Sequence, residues 1–205
     1  AYKDKCHKVR FRFLLLCLLV NLGILAVLKY TNFFIQNVNG IMDAFGQTGH
    51  LSFVALALPL GISFYTFQAI SYLLDVYRGT ITAEKNIFRF ALFVSFFPLL
   101  IQGPISRYGD LSPSLFEQHK FDSKTVSYGL QRMLWGYFKK MVIADRILAG
   151  VSCIINEPQT YNGAYAFVGM LFYTLELYAD FTGGIDITIG IAQTMGITVQ
   201  ENFNR

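Results

Sequence analysis

Residues 96–108, FFPLLIQGPISRY, constrain this chain more than any other stretch. The segment opens as an apolar run fit for a membrane and then breaks at Pro98. It carries a polar Gln102 to the end of the run, turns on Gly103-Pro104 and meets a charge at Arg107. Lipid offers broken backbone no hydrogen-bond partner, so such a segment persists at membrane depth only where protein or a water-filled cavity covers it. A run that stops in this way lines an interior; it does not simply anchor.

The surroundings agree. Of 205 residues, 54% are hydrophobic and only 15% charged, against about 25% charged in ordinary soluble domains. The 20 Phe and 12 Tyr suit helices that meet lipid and its interface. The expected fold is all-α, a polytopic integral membrane protein and one unit over residues 1–205. The basic residues flank apolar runs and form no stripe of their own, which argues against nucleic acid. Cys6, Cys17 and Cys153 lie far apart without a histidine at ligand spacing, so neither a metal site nor a disulfide framework is expected. The chain starts at Ala1 and stops at Arg205 without a terminating feature, and it reads as a piece truncated at both ends.

In chain order, residues 1–12 are basic and residues 13–28 form an apolar run of 16 residues. That is about 24 Å of helix, just short of a bilayer core. Arg12 and Lys29 can snorkel to close the gap, which makes this a span with its basic flank in the cytoplasm. Residues 31–50 read as a polar outer loop. Residues 51–74 hold 24 residues without a formal charge, the clearest span, with a kink expected at Pro59 and Gly61. Residues 90–106 lie between two basic flanks. Re-entry of the segment reconciles both flanks with the cytoplasm; a short full crossing with a basic outer segment is the alternative.

Residues 109–124 read as a polar turn. Residues 125–149 are amphipathic: Val126, Leu130, Met133, Leu134, Tyr137, Met141 and Ile147 alternate with Arg132, Lys139 and Lys140. Both a membrane-surface helix and a bundle helix whose charges reach water fit that pattern. Residues 163–175 start another span, which runs on through Glu176, Asp180 and Asp186. Three carboxylates in so apolar a stretch require a cavity or a partner. Gly183-Gly184 is expected to weaken this helix before a second one over 185–199.

No nucleophile motif, phosphate loop or zinc-protease signature occurs. His7, His50 and His119 sit in flanks and loops and read as surface residues. From the residues alone, a transferase lacking its base, a proton-coupled or small-solute transporter and a non-catalytic membrane scaffold all remain open.

Three motifs narrow this field. Residues 58–79 (LPLGISFYTFQAISYLLDVYRG), 96–108 and 178–205 (YADFTGGIDITIGIAQTMGITVQENFNR) together resemble the membrane-bound O-acyltransferase family. The likeness is to its bacterial branch, which holds alginate O-acetyltransferases and teichoic acid D-alanyl transferases. It implies a multi-helix shell around a tunnel, with re-entrant and amphipathic interfacial helices, in the bacterial cytoplasmic membrane. It implies transfer of an acyl group, acetyl in the first instance, from a cytoplasmic thioester donor to hydroxyls of a cell-surface polysaccharide. Coenzyme A or acyl carrier protein would be the cosubstrate, no cofactor would be bound, and an accessory secreted acyltransferase would act on the outer side.

By the same resemblance, Gln102, Arg107 and Tyr108 shape the tunnel or its re-entrant turn. Asp180 and Asp186, with Glu176 beside them, support it, the two aspartates by hydrogen bonds to backbone and amides and not by acid–base work. Gly184 departs from the family pattern, replacing an aromatic usually found there. The family's histidine base follows the E-N-F-N motif, here residues 201–204, so it is expected beyond Arg205. Residues 1–205 alone are expected to be inactive.

Overall fold

The computed structural model describes residues 2–47 and 49–202, with side chains from residue 8 onward. Every regular element among them is helical. The chain packs as two compact units, Ala1–Ser95 and Phe96–Arg205.

The first unit is built on α1 (Tyr2–Ala44). Its portion Lys8–Ala44 is the one helix among the described residues that is long and apolar enough to cross a membrane. The expected outer loop at 31–50 is therefore wrong for residues 31–44, which continue the helix. Two of their polar side chains bond the helix's own carbonyls: Thr31 Oγ1 donates to Val27 O and Asn37 Nδ2 to Phe33 O at 2.7 Å. The helix ends at Gly46, whose φ of 71° is open to glycine at no steric cost.

The expected span at 51–74 is corrected more deeply. Residues 51–59 are not helical, and α2 (Ile62–Arg78) begins only after Gly61 in the left-handed region. Pro59 disfavours helical backbone at the residue before it. Two asparagines on α1 supply what a helix would otherwise give. Asn32 exchanges both bonds with the backbone of Val54 (2.9 Å each), and Asn39 exchanges both with Leu51 (3.0 and 2.8 Å). Proline and glycine start the helix here; they do not kink it. It stops on Gly79, with Gly79 N–H donating to Val76 O and Thr80 N–H to Asp75 O, the paired closure typical of a left-handed C-terminal glycine. The short α3 (Ile87–Val94) is capped by Asn86 and joined to α2 by Gln68 Nε2 donating to Phe93 O and by the Tyr72–Phe90 ring contact.

The second unit opens with one helical turn, α4 (Leu99–Gln102), begun at Pro98 and ended at extended Gly103. The interruption expected from Pro98 and Gly103-Pro104 is present. The polar turn expected at 109–124 is instead α5 (Tyr108–Phe116), which runs through Pro113. Then come α6 (Ser123–Tyr137), a π-helical segment (Phe138–Ala144) and α7 (Asp145–Asn156), joined without a break. Last is α8 (Ala164–Thr194), a single helix of 31 residues where two were expected. Gly183-Gly184 does not break it, because their bare backbone is what lets neighbours approach.

Candidate functional site

The site is assembled by the way α6 meets α8. Gly129 and Gly136 lie seven residues apart on α6, and Gly183 and Gly190 seven apart on α8. A Cβ built on Gly136 would stand 2.6 Å from Gly183 O, and one on Gly190 would stand 2.8 Å from Gly129 O. The helices are thus antiparallel and touch backbone to backbone at two crossings. Small residues that permit such closeness drive helix association where lipid removes the ordinary hydrophobic gain.

Asp186 sits between the crossings, only 2% exposed. Its Oδ1 accepts from Arg132 Nε at 3.0 Å and its Oδ2 from Lys139 Nζ. Arg132 then gives both terminal nitrogens to Glu201, at 2.5 and 2.6 Å, a bidentate grip on a carboxylate. Six residues toward the N-terminus of α8, Asp180 accepts from Lys140 Nζ and, at 3.3 Å, from Gln102 Nε2. Three cations therefore face three carboxylates. Buried charges are tolerable only when paired this completely. Successive lysines reach two acids six positions apart because Lys139 and Lys140 occupy the π-helical segment, whose wide turns re-aim side chains.

Residues 125–149 pack as a helix of a bundle against α8, as one of the two readings expected, but Arg132, Lys139 and Lys140 turn toward α8, with Lys140 still 40% exposed. Leu130, Leu134, Trp135, Tyr137 and Met141 are among the exposed side chains. The helix is amphipathic with its polar side inward.

Four of the predicted site residues fall in or beside this seam. Asp180 and Asp186 form it, although their partners are mainly cations where backbone and amides were expected. Gln102 enters through α4, and its side chain lies directly on Gly184, occupying the space of any Cβ there. Glu176 is buried on the same helix, but its Oε2 has no hydrogen-bond partner. Arg107 and Tyr108 stay apart from the seam: Arg107 is exposed at the start of α5, and Tyr108 is buried against Phe116. Of the histidines, His50 lies 3.5 Å from Asp43 and His119 Nε2 is 2.5 Å from Ser114 O; the side chain of His7 lies outside the described residues.

Sequence reasoning missed Arg132, Lys139, Lys140 and Glu201. The available signal was the sevenfold spacing of glycines on both segments, which marks a close crossing.

Beyond α8 the chain is strapped back. Gly196 turns at φ 78° with the His119 ring packed on it. Ser114 Oγ then donates to Thr198 O and accepts from Thr198 N–H, both at 3.2 Å. Ile197 and Val199 are buried, and Arg132 holds Glu201. An open cavity of about 260 Å³ lies alongside, lined by Thr125, Arg132, Gln193 and Thr198 among others. Among the described residues no group of three or more His, Cys, Asp and Glu could hold a metal ion.

No family model matches the chain. It is 40% identical over 196 residues to a probable alginate O-acetylase of Pseudomonas aeruginosa, covering 95% of this chain and 37% of that protein. It is 32% identical over 217 residues to the peptidoglycan O-acetyltransferase of Helicobacter pylori, covering 93% and 40%. To the teichoic acid D-alanyltransferase of Bacillus subtilis it is 28% identical over 152 residues, covering 71% and 38%. The chain thus spans little more than a third of the length of these curated relatives. The likeness extends over nearly the whole of this chain, which is similar throughout to these membrane-bound O-acyltransferases.

Proposed function

We propose that the full-length protein carrying this chain transfers an acyl group, acetyl by its likeness to the alginate and peptidoglycan O-acetyltransferases, to hydroxyls of a cell-surface polysaccharide. The observation that carries this reading is the 40% identity sustained over 95% of the chain. The donor is a thioester, on coenzyme A or a carrier protein, reached from the cytoplasm. The acceptor oxygen attacks the thioester carbonyl while a histidine beyond Arg205 takes its proton. The C–S bond breaks, an ester forms, and the thiolate leaves to be reprotonated. An accessory secreted acyltransferase completes delivery outside.

The role of residues 1–205 is to hold the shell. The protein is multi-pass in the bacterial cytoplasmic membrane, with the basic flank of α1 inside and residues 90–106 re-entrant. The paired charges of the α6–α8 seam support one wall of the tunnel, and the Arg132–Glu201 grip aims the following chain toward the acceptor site. Six charges that neutralise one another support a structural and not a proton-carrying role for Asp180 and Asp186.

The test is ester-linked acetate on the surface polysaccharide of a strain deleted for the gene. The full-length gene should restore it, and the piece encoding residues 1–205 should not. Unchanged acetate after deletion would oppose the function. Transfer by residues 1–205 alone would oppose a base lying beyond Arg205.

A further inference from the structure

A groove runs between α1 and α2 in the first unit, near the basic end of α1. Its floor is a helical stripe of α1, Val9, Phe13, Leu14 and Cys17, facing Leu73 and Val76 of α2. It encloses about 500 Å³, and Arg10 and Tyr77 also line it. On the far side of Tyr77 a second hollow is lined by Lys8, Phe11 and Arg12, with the Phe11 ring 6.4 Å from that of Tyr77.

Lys8, Arg10 and Arg12 have no ion-pair partner among the described residues. Three cations without a partner among the described residues therefore gather around a tyrosine where the membrane-length stretch Lys8–Ala44 begins. An apolar slot with a cationic mouth is complementary to an amphiphile carrying one negative charge next to a hydrocarbon chain. The mouth also lies at the end of an apolar helix, where headgroups sit. A free anion would leave the slot empty, and an acidic peptide would not use so apolar a floor.

We propose that this groove is a binding site for an anionic phospholipid. One acyl chain lies against Phe13, Cys17 and Leu73, and the phosphate is held by Arg10 with Lys8 and Arg12 nearby. This stands independently of the acyltransferase reading, since it uses only the first unit.

Native mass spectrometry of the full-length protein in detergent tests it, using phosphatidylglycerol and phosphatidylcholine with identical chains. Phosphatidylglycerol should bind more tightly, by about fivefold for each cation engaged. K8Q/R10Q/R12Q should erase that preference, and Ala83→Phe, which fills the groove from the loop after α2, should lower binding of the same lipid. Equal binding of the two lipids by the wild type would overturn the proposal. A preference erased by the triple variant yet untouched by Ala83→Phe would reduce the site to a charged surface, and overturn the acyl seat. Should Ala83→Phe fail to fold, eight-carbon and sixteen-carbon phosphatidylglycerols on the wild type decide: a seat for the chain requires the longer one to bind better, and equal binding overturns it.

Discussion

The two long helices solve opposite problems. α1 has 43 residues, and of its described side chains only Leu25 is buried. α8 has 31 residues and buries twelve of them, among them Glu176, Thr182, Asp186 and Thr188. The first is apolar around its surface and bonds its polar side chains to its own carbonyls (Asn21, Thr31, Asn37) or to the backbone of the segment that follows it (Asn32, Asn39). The second is apolar outside and polar where it meets α6. Hydrophobicity alone accounts for where α1 can reside, but it says little about what α1 packs against. α8 is specified by glycine spacing and charge pairing, features that fix one neighbour at one register.

The largest effect that would break this contrast is removal of the central carboxylate. Asp186→Asn leaves Lys139 without its partner and Arg132 with Glu201 alone, and should cost about 3–5 kcal/mol, read as thermal unfolding in detergent. The matched change on α1, Asp43→Asn, removes a carboxylate that is 61% exposed and should shift the transition little. Equal shifts would erase the distinction between the helices.

Glycine offers a sharper version, because the same substitution should change sign. Gly136→Ala places a Cβ 2.6 Å from a backbone oxygen and should destabilise by about 1–3 kcal/mol. Gly23→Ala meets nothing within 4 Å and should stabilise by about 0.5–1 kcal/mol, through helix propensity alone. A stabilising Gly136→Ala would mean that the crossing is looser than described.

A smaller effect is expected at the strap. Arg132→Lys keeps the charge beside Asp186 but cannot grip Glu201 with two nitrogens. It should cost about 1 kcal/mol and expose the chain after Gly196 to protease before the helices unfold. Unchanged protection would show that Ser114 and the buried Ile197 and Val199 hold the strap without Arg132.

The smallest effect belongs to Asp122, the cap of α6. The Thr125 hydroxyl, then the Thr125 and Lys124 amides, hold its carboxyl below the ordinary value of 3.8. A depressed carboxylate contributes stability above the ordinary value and loses it as pH falls through its own lower one. Exchange of the Lys124 and Thr125 amides should therefore rise only below about pH 4, and Asp122→Ala should remove the step.

Much of this was legible in residues. The helical class, the interruption at Pro98 and Gly103, and the need of Asp180 and Asp186 for partners all followed from polarity and turn chemistry. The failures share a cause. Residues 51–59 were counted as helix on hydrophobicity, but Asn32 and Asn39, distant in sequence, offered their backbone a different set of bonds. Residues 125–149 were read with the apolar side as the packed side. In lipid that assignment inverts, and only Gly129, Gly136, Gly183 and Gly190 carried the information. Gly183-Gly184 was read by propensity, when its meaning lay in what approaches it.

The account turns on the charges of α6 and the π-helical segment after it, Arg132, Lys139 and Lys140, pointing at α8. The most direct test is a double-mutant cycle between Lys139 and Asp186, using Lys139→Met and Asp186→Asn, with unfolding free energies from the full-length protein. The close buried pair predicts a coupling of about 1.5–3 kcal/mol. Additive effects would mean that Lys139 faces elsewhere, and the inward-facing seam would not exist.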